Sequence, residues 1–112
     1  MSIERITVRQ MQELQQKEEI VLIDCREQEE WDSGHIPKAL LCPLSNFEEH
    51  LEKLLPYKDK TVIVQCRSGQ RSFRACLFLE SQGFSNLKNL EGGILDWADH
   101  GLPVIISDSE NK

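Results

Sequence analysis

The sequence predicts an α/β domain in which a parallel sheet carries helices on both faces. Three observations support this. Ile20–Asp24 and Thr61–Gln65 are short runs dominated by Val, Ile and Leu, the composition of strands covered on both faces. Segments with helical periodicity alternate with these runs, the order expected of βα units. A glycine-bearing turn beginning at Cys66 joins the second run to a helical segment, and in parallel sheets ligands bind at such strand ends. The 112 residues suffice for one buried core and leave no room for a second domain. The domain is expected to span residues 1–106, with 107–112 as a frayed tail.

The elements follow in chain order. Thr7 caps a helix running to about Gln16, with Val8, Met11 and Leu14 on one face. The first buried strand, Ile20–Asp24, comes next. Ser45 and Glu48 have capping-box spacing ahead of Phe47, Leu51, Leu54 and Leu55, which share a helical face, and Pro56 discourages continuation. After the strand Thr61–Gln65, the segment from Ser72 to Gln82 reads as a mostly buried helix through Ala75, Cys76, Phe78 and Leu79, with Gly83 placed to end it. A weaker strand at Leu87–Leu90 and a short helix near Ile94–Ala98, after Gly92-Gly93, close the pattern.

Charge limits the partners. Acidic residues outnumber basic ones 19 to 13, a formal charge of −6. Such a field repels nucleic acid and anionic membranes, so neither is expected as a partner. An anionic substrate would need a locally built positive potential. The N-terminus shows no apolar signal core, the longest apolar runs are too short to span a bilayer, and a cytoplasmic location is expected. Cys25, Cys42, Cys66 and Cys76 form no C-x-x-C pair and match no zinc spacing. They read as free thiols in a reducing compartment, with no metal and no cofactor.

The segment Cys66-Arg67-Ser68-Gly69-Gln70-Arg71-Ser72 concentrates the chemistry. Gly69 lets the loop curl and turn N–H groups inward. The next helix presents its positive end to the same concavity. Arg67 and Arg71 add permanent charges that can grip an oxyanion bidentately. A cysteine there should be largely thiolate. The same cradle would hold an anionic sulfur donor and a terminal persulfide anion. The competing structural reading is a buried strand-end cysteine beside two solvated arginines. Cys25, Cys42 and Cys76 lie in apolar or helical contexts and read as small buried hydrophobes, with Cys76 as a weak candidate to resolve an oxidised Cys66.

With this loop in view, the chain resembles the single-domain rhodanese family of sulfurtransferases. Two further motifs carry the resemblance. One runs Asp24-Cys25-Arg26-Glu27-Gln28-Glu29-Glu30-Trp31-Asp32-Ser33-Gly34-His35-Ile36-Pro37-Lys38-Ala39, and the other is Leu90-Glu91-Gly92-Gly93-Ile94-Leu95-Asp96-Trp97 with Gly101-Leu102-Pro103-Val104. The resemblance implies a rhodanese-like fold with a central five-stranded sheet and Cys66 as the sulfur-carrying nucleophile. It implies that the loop from Arg67 through Ser68, Gly69, Gln70 and Arg71 to Ser72 binds substrate, the backbone holding the sulfur and the two arginines the donor's oxyanion. The partners implied are a small anionic donor, such as thiosulfate, and a cyanide, thiol or protein-cysteine acceptor. Cys25 and Cys42 stand where the family usually has aliphatic residues, and Lys38 and Leu41 replace a common glycine and asparagine.

Other residues invite weaker readings. His35 is expected to be a hydrogen-bonded structural histidine, and His50 and His100 to be solvated. Asp24 and Arg26 are read as fixing the turn near the site without needing to pair, and Glu27–Glu30 as an exposed helical face. Trp31 and Trp97 are expected in the core. The rival functions are a rhodanese-like protein-interaction or sulfur-carrier module of little activity and a phosphatase or arsenate reductase. The latter would need arginine six positions after the cysteine, where this chain has Ser72.

Overall fold

The computed structural model describes residues 3–106; the expected tail at 107–112 lies outside the described residues. Its strands are β1 (Glu4–Ile6), β2 (Ile20–Asp24), β3 (Leu40–Leu41), β4 (Thr61–Gln65) and β5 (Leu87–Leu90). They form one five-stranded sheet in the order β1-β5-β4-β2-β3, and every pairing within it is parallel. The helices are α1 (Val8–Lys17), α2 (Gln28–Ser33), α3 (Leu51–Leu54), α4 (Gln70–Ser81) and α5 (Gly93–Asp99).

Alternation along the central strands sorts the core into two layers. Val62 and Val64 of β4, with Ile23 of β2, face a cluster containing Phe47, Leu54, Ala75, Cys76 and Leu79. Ile63 and Leu22 point the other way, to Val8, Met11, Ile94 and Trp97. The first layer is covered by α3 and α4, the second by α1 and α5. Both faces being buried explains why β2 and β4 read as near-continuous apolar runs.

Local signals agree with the structure where a side chain serves its own segment. Thr7 Oγ1 accepts from the Gln10 N–H at 3.1 Å, and Gln10 Oε1 accepts from the Thr7 N–H at 2.8 Å, a complete capping box for α1. The spacing at Ser45 and Glu48 misleads. That stretch is a 3-10 helix, Leu44–His50, followed by one turn of α3 and a second 3-10 turn, Leu55–Tyr57. Ser45 instead donates through its hydroxyl to Glu27 Oε1 at 2.8 Å, eighteen residues away in sequence. Helix α4 begins at Gln70, two residues before the expected Ser72. Strands β1 and β3 carry no strong sequence signal, being two or three residues long and lying at the sheet's edges.

The motif after β2 is held by buried charge. Asp24 and Arg26 do pair. The Arg26 guanidinium donates to both Asp24 carboxylate oxygens and, through Nη2, to the Gly34 carbonyl at 2.7 Å. One arginine thus ties the end of β2 to the end of α2. Beyond it, His35 is buried, with Nδ1 3.2 Å from the Trp31 carbonyl and its ring stacked on Trp31 at a centroid distance of 3.6 Å. Trp31 is therefore a half-buried stacking partner, not a core residue. Trp97 is in the core, donating its indole N–H to the Pro103 carbonyl at 2.8 Å.

Candidate active site

Strand β4 ends at Gln65, so Cys66 sits at the carboxyl edge of the sheet's central strand, almost fully buried. Gly69 follows at φ 109, a conformation that side-chain-bearing residues avoid. This turn brings two backbone donors onto one sulfur. The Gly69 N–H donates to Cys66 Sγ at 3.1 Å and the Ser72 N–H at 3.4 Å, from the first turn of α4. Ser72 Oγ lies 3.4 Å from the same sulfur. The Ser72 hydroxyl also donates to Asn89 Oδ1, while Asn89 Nδ2 donates to the Gly69 carbonyl at 3.0 Å. Asn89, buried on β5, therefore braces both ends of the turn.

The cradle is closed from below by α5. Ile94 and Leu95 donate their N–H groups to the Cys66 and Arg67 carbonyls at 2.9 and 3.2 Å. Gly93, at φ 54, makes that approach possible: a Cβ there would lie 2.3 Å from the Cys66 carbonyl oxygen.

The Cys66 thiol is held well below the ordinary thiol range. The largest cause is a hydrogen bond from the Cys25 thiol, opposed by burial and reinforced by the Ser72 hydroxyl and the Ser72 and Gly69 N–H groups. Short-range donors thus stabilise the thiolate, where the sequence had pointed also to the arginines. Cys42 and Cys76 are pushed up by burial, to about 11 and about 12. All four cysteines are free.

The arginines do not share one environment. Arg71 is clamped by α2: its Nη1 and Nη2 donate to Glu30 Oε1 and Oε2 at 2.8 and 2.9 Å. This pairing holds the Glu30 carboxyl down at about 2. The expected exposed face from Glu27 to Glu30 is therefore half engaged. Glu30 grips Arg71, and Glu27 accepts from Ser45. Arg67, Ser68 and Gln70 are exposed at the rim.

The sequence matches the rhodanese-like domain over residues 7–100. A sulfurtransferase of Allochromatium vinosum is 40% identical over 94 residues, spanning 84% of this chain and 86% of its own. The chain belongs to the rhodanese-like family. The structure agrees with solved members: a rhodanese-related protein of Thermoplasma volcanium superimposes with a TM-score of 0.81 at 30% identity, covering 93% of this chain and 99% of that one. A rhodanese-like domain protein of Staphylococcus aureus does so with 0.78 at 30% identity, covering 89% and 96%.

Three residues of this rhodanese-like domain that shape the site were not picked out as such in the sequence. Asn89 left a faint signal, a polar residue between apolar ones in a buried strand. Cys25 read as a hydrophobe and Glu30 as a surface charge, because their partners lie 41 positions away in the chain. His100 is exposed as expected, whereas His50 is half-buried and burial lowers its pKa. Among the described residues no cluster of His, Cys, Asp and Glu could hold a metal, and no helix is long and apolar enough to cross a membrane.

Proposed function

We propose that this protein is a sulfurtransferase that carries a sulfane sulfur as a persulfide on Cys66. The observation that carries the reading is a buried, low-pKa sulfur receiving backbone N–H groups from both Gly69 and Ser72. The Cys66 thiolate attacks the outer sulfur of thiosulfate or of another sulfane donor. A new S–S bond forms, the donor's S–S bond breaks, and the rest of the donor, sulfite when the donor is thiosulfate, leaves with the electron pair. The persulfide anion keeps its charge in the cradle, where the N–H groups and the dipole of α4 stabilise it. A cyanide, thiol or protein-cysteine acceptor then takes the outer sulfur and restores the thiolate.

Arg67, at the rim, is the first contact for the donor's oxyanion. Arg71 contributes once Glu30 yields part of its hold. The sulfur donor and acceptor need no resident cofactor in this scheme. Four free thiols suit a reducing compartment, which supports a cytoplasmic setting. Phosphate chemistry is disfavoured by Ser72. It stands where an oxyanion loop would need arginine, and its hydroxyl is committed to Asn89.

The test is direct. Thiosulfate should release sulfite and leave the chain, when quenched at the earliest times, heavier by one sulfur atom, mapped to the Cys66 peptide, and cyanide supplied with the thiosulfate should take that sulfur as thiocyanate. Cys66→Ser should abolish both the mass gain and turnover. A gain that persists in Cys66→Ser overturns the assignment.

A further inference from the structure

The pairing of β2 with β4 brings a second thiol to the nucleophile. Asp24 and Gln65 are register partners at the strands' last positions, and the Cys25 N–H donates to the Gln65 carbonyl at 3.0 Å. Cys25 and Cys66 are therefore the next pair along the two strands. Both side chains belong to the α4-side cluster, so they leave the sheet on the same face. Neighbouring strands lie about 4.8 Å apart, inside the Cα window of about 4.4–6.8 Å that a disulfide spans. Cys76 lacks this geometry: its thiol turns to the Lys88 carbonyl at 3.8 Å.

We propose that Cys25 is an internal acceptor that converts the Cys66 persulfide into free sulfide and a Cys25–Cys66 disulfide. Cys25 Sγ bonds to Cys66 Sγ as the bond between Cys66 Sγ and the outer sulfur breaks. The outer sulfur leaves with that electron pair and takes the Cys25 proton, departing as HS⁻. One S–S bond is exchanged for another, so no external oxidant enters. A dithiol reductant then reopens the disulfide and is itself oxidised to its cyclic disulfide. The net activity is release of sulfane sulfur as sulfide when no acceptor arrives.

The environment of Cys25 keeps the two roles separate. Its hydrogen bond to Cys66, burial and the Cys66 charge hold its proton in place, so Cys25 does not compete for the donor. The proton is released only when a sulfur leaving group is there to receive it. In the resting site the same thiol supports the Cys66 thiolate as a donor.

This step rests on the Cys66 persulfide proposed above, and the experiment separates the two. The fully reduced chain is given stoichiometric thiosulfate without cyanide or thiol, quenched with iodoacetamide, and assayed for sulfite, sulfide and intact mass. Wild type should release sulfite and then sulfide, lose two alkylatable thiols, and yield a Cys25–Cys66 cross-linked peptide. Cys25→Ser and the smaller Cys25→Ala should release sulfite but retain the sulfur on Cys66, with sulfide appearing at least about tenfold more slowly. Added dithiothreitol should then liberate the retained sulfide from both variants, and from wild type only reopen the disulfide and restore the two thiols. Equal retention of sulfur by wild type and Cys25→Ala, or a cross-link from Cys66 to Cys76, overturns the role of Cys25 while leaving the persulfide intact. If no form takes up sulfur, the persulfide reading falls and this one with it.

Discussion

At Cys66 one sulfur collects the Gly69 and Ser72 N–H groups, and these, with the Ser72 hydroxyl and the Cys25 thiol close by, outweigh the cost of burying a charge. Removing the neighbouring Ser72 hydroxyl should raise the thiol pKa. Ser72→Ala is expected to slow alkylation of Cys66 by iodoacetamide below pH about 4, by about tenfold for each unit of pKa rise, and to leave the rate at neutrality and above nearly unchanged. A parallel drop at every pH would mean that Ser72 shapes access to the sulfur and not its charge. Glu30 bears on the proposed donor site instead. It occupies both forks of Arg71, so an anionic donor must compete with a carboxylate. Glu30→Gln should lower the KM for thiosulfate by about three- to tenfold and barely alter use of an uncharged sulfane donor. Lys38 stands at φ 71, where the side chain is strained. Lys38→Gly should therefore stabilise the fold by about 0.5–1 kcal/mol, read as a rise in the urea midpoint at constant slope.

At the level of elements, the active turn is suspended between β4, α4 and α5. The N–H groups of Ile94 and Leu95 hold the Cys66 and Arg67 carbonyls, and the first turn of α4 supplies Ser72. This arrangement tolerates no side chain at position 93, because the nearby atoms are backbone and cannot move aside. Gly93→Ala should cost more than about 2 kcal/mol in unfolding free energy. It should also reduce turnover by displacing the Cys66 backbone. Full activity and stability in that variant would show that the α5 junction does not set the cradle's shape.

Across the whole molecule, α2 and the end of β2 are joined to the sheet by charge. The Asp24–Arg26 pair is almost fully buried. Arg26→Ala leaves a carboxylate without its partner and should destabilise by about 3–5 kcal/mol, measured by urea denaturation. The Glu30–Arg71 pair is partly exposed and adds an acid-sensitive component. Its carboxyl titrates at about 2 in the folded chain against 4.5 ordinarily. A depressed folded pKa contributes stability above the unfolded value, and this is lost as pH falls through the folded one. The stability difference between wild type and Glu30→Gln should therefore shrink from pH 4.5 down to about 2 and be flat above that window. No convergence of the two curves on acidification would show the pair to be energetically neutral.

What could be read from the sequence is what neighbouring residues decide among themselves. Buried parallel strands announce themselves by apolar runs, Thr7 and Gln10 cap their own helix, and Cys66, Gly69 and Ser72 lie close enough in sequence for their shared turn to be foreseen. The resemblance in the three motifs supplied the five-stranded sheet, which the structure has, and the expectation that Cys66 is the nucleophile. The rest depended on residues far apart in the chain meeting in space. Short edge strands β1 and β3 exist because β5 and β2 offer them hydrogen bonds. Ser45 abandoned a local capping role for Glu27. Glu30 found Arg71, Asn89 found Ser72 and Gly69, and Cys25 found Cys66 across adjacent strands. A side chain's chemistry is written in its residue type, but its protonation and its partners follow from register, and register is settled only when the sheet pairs.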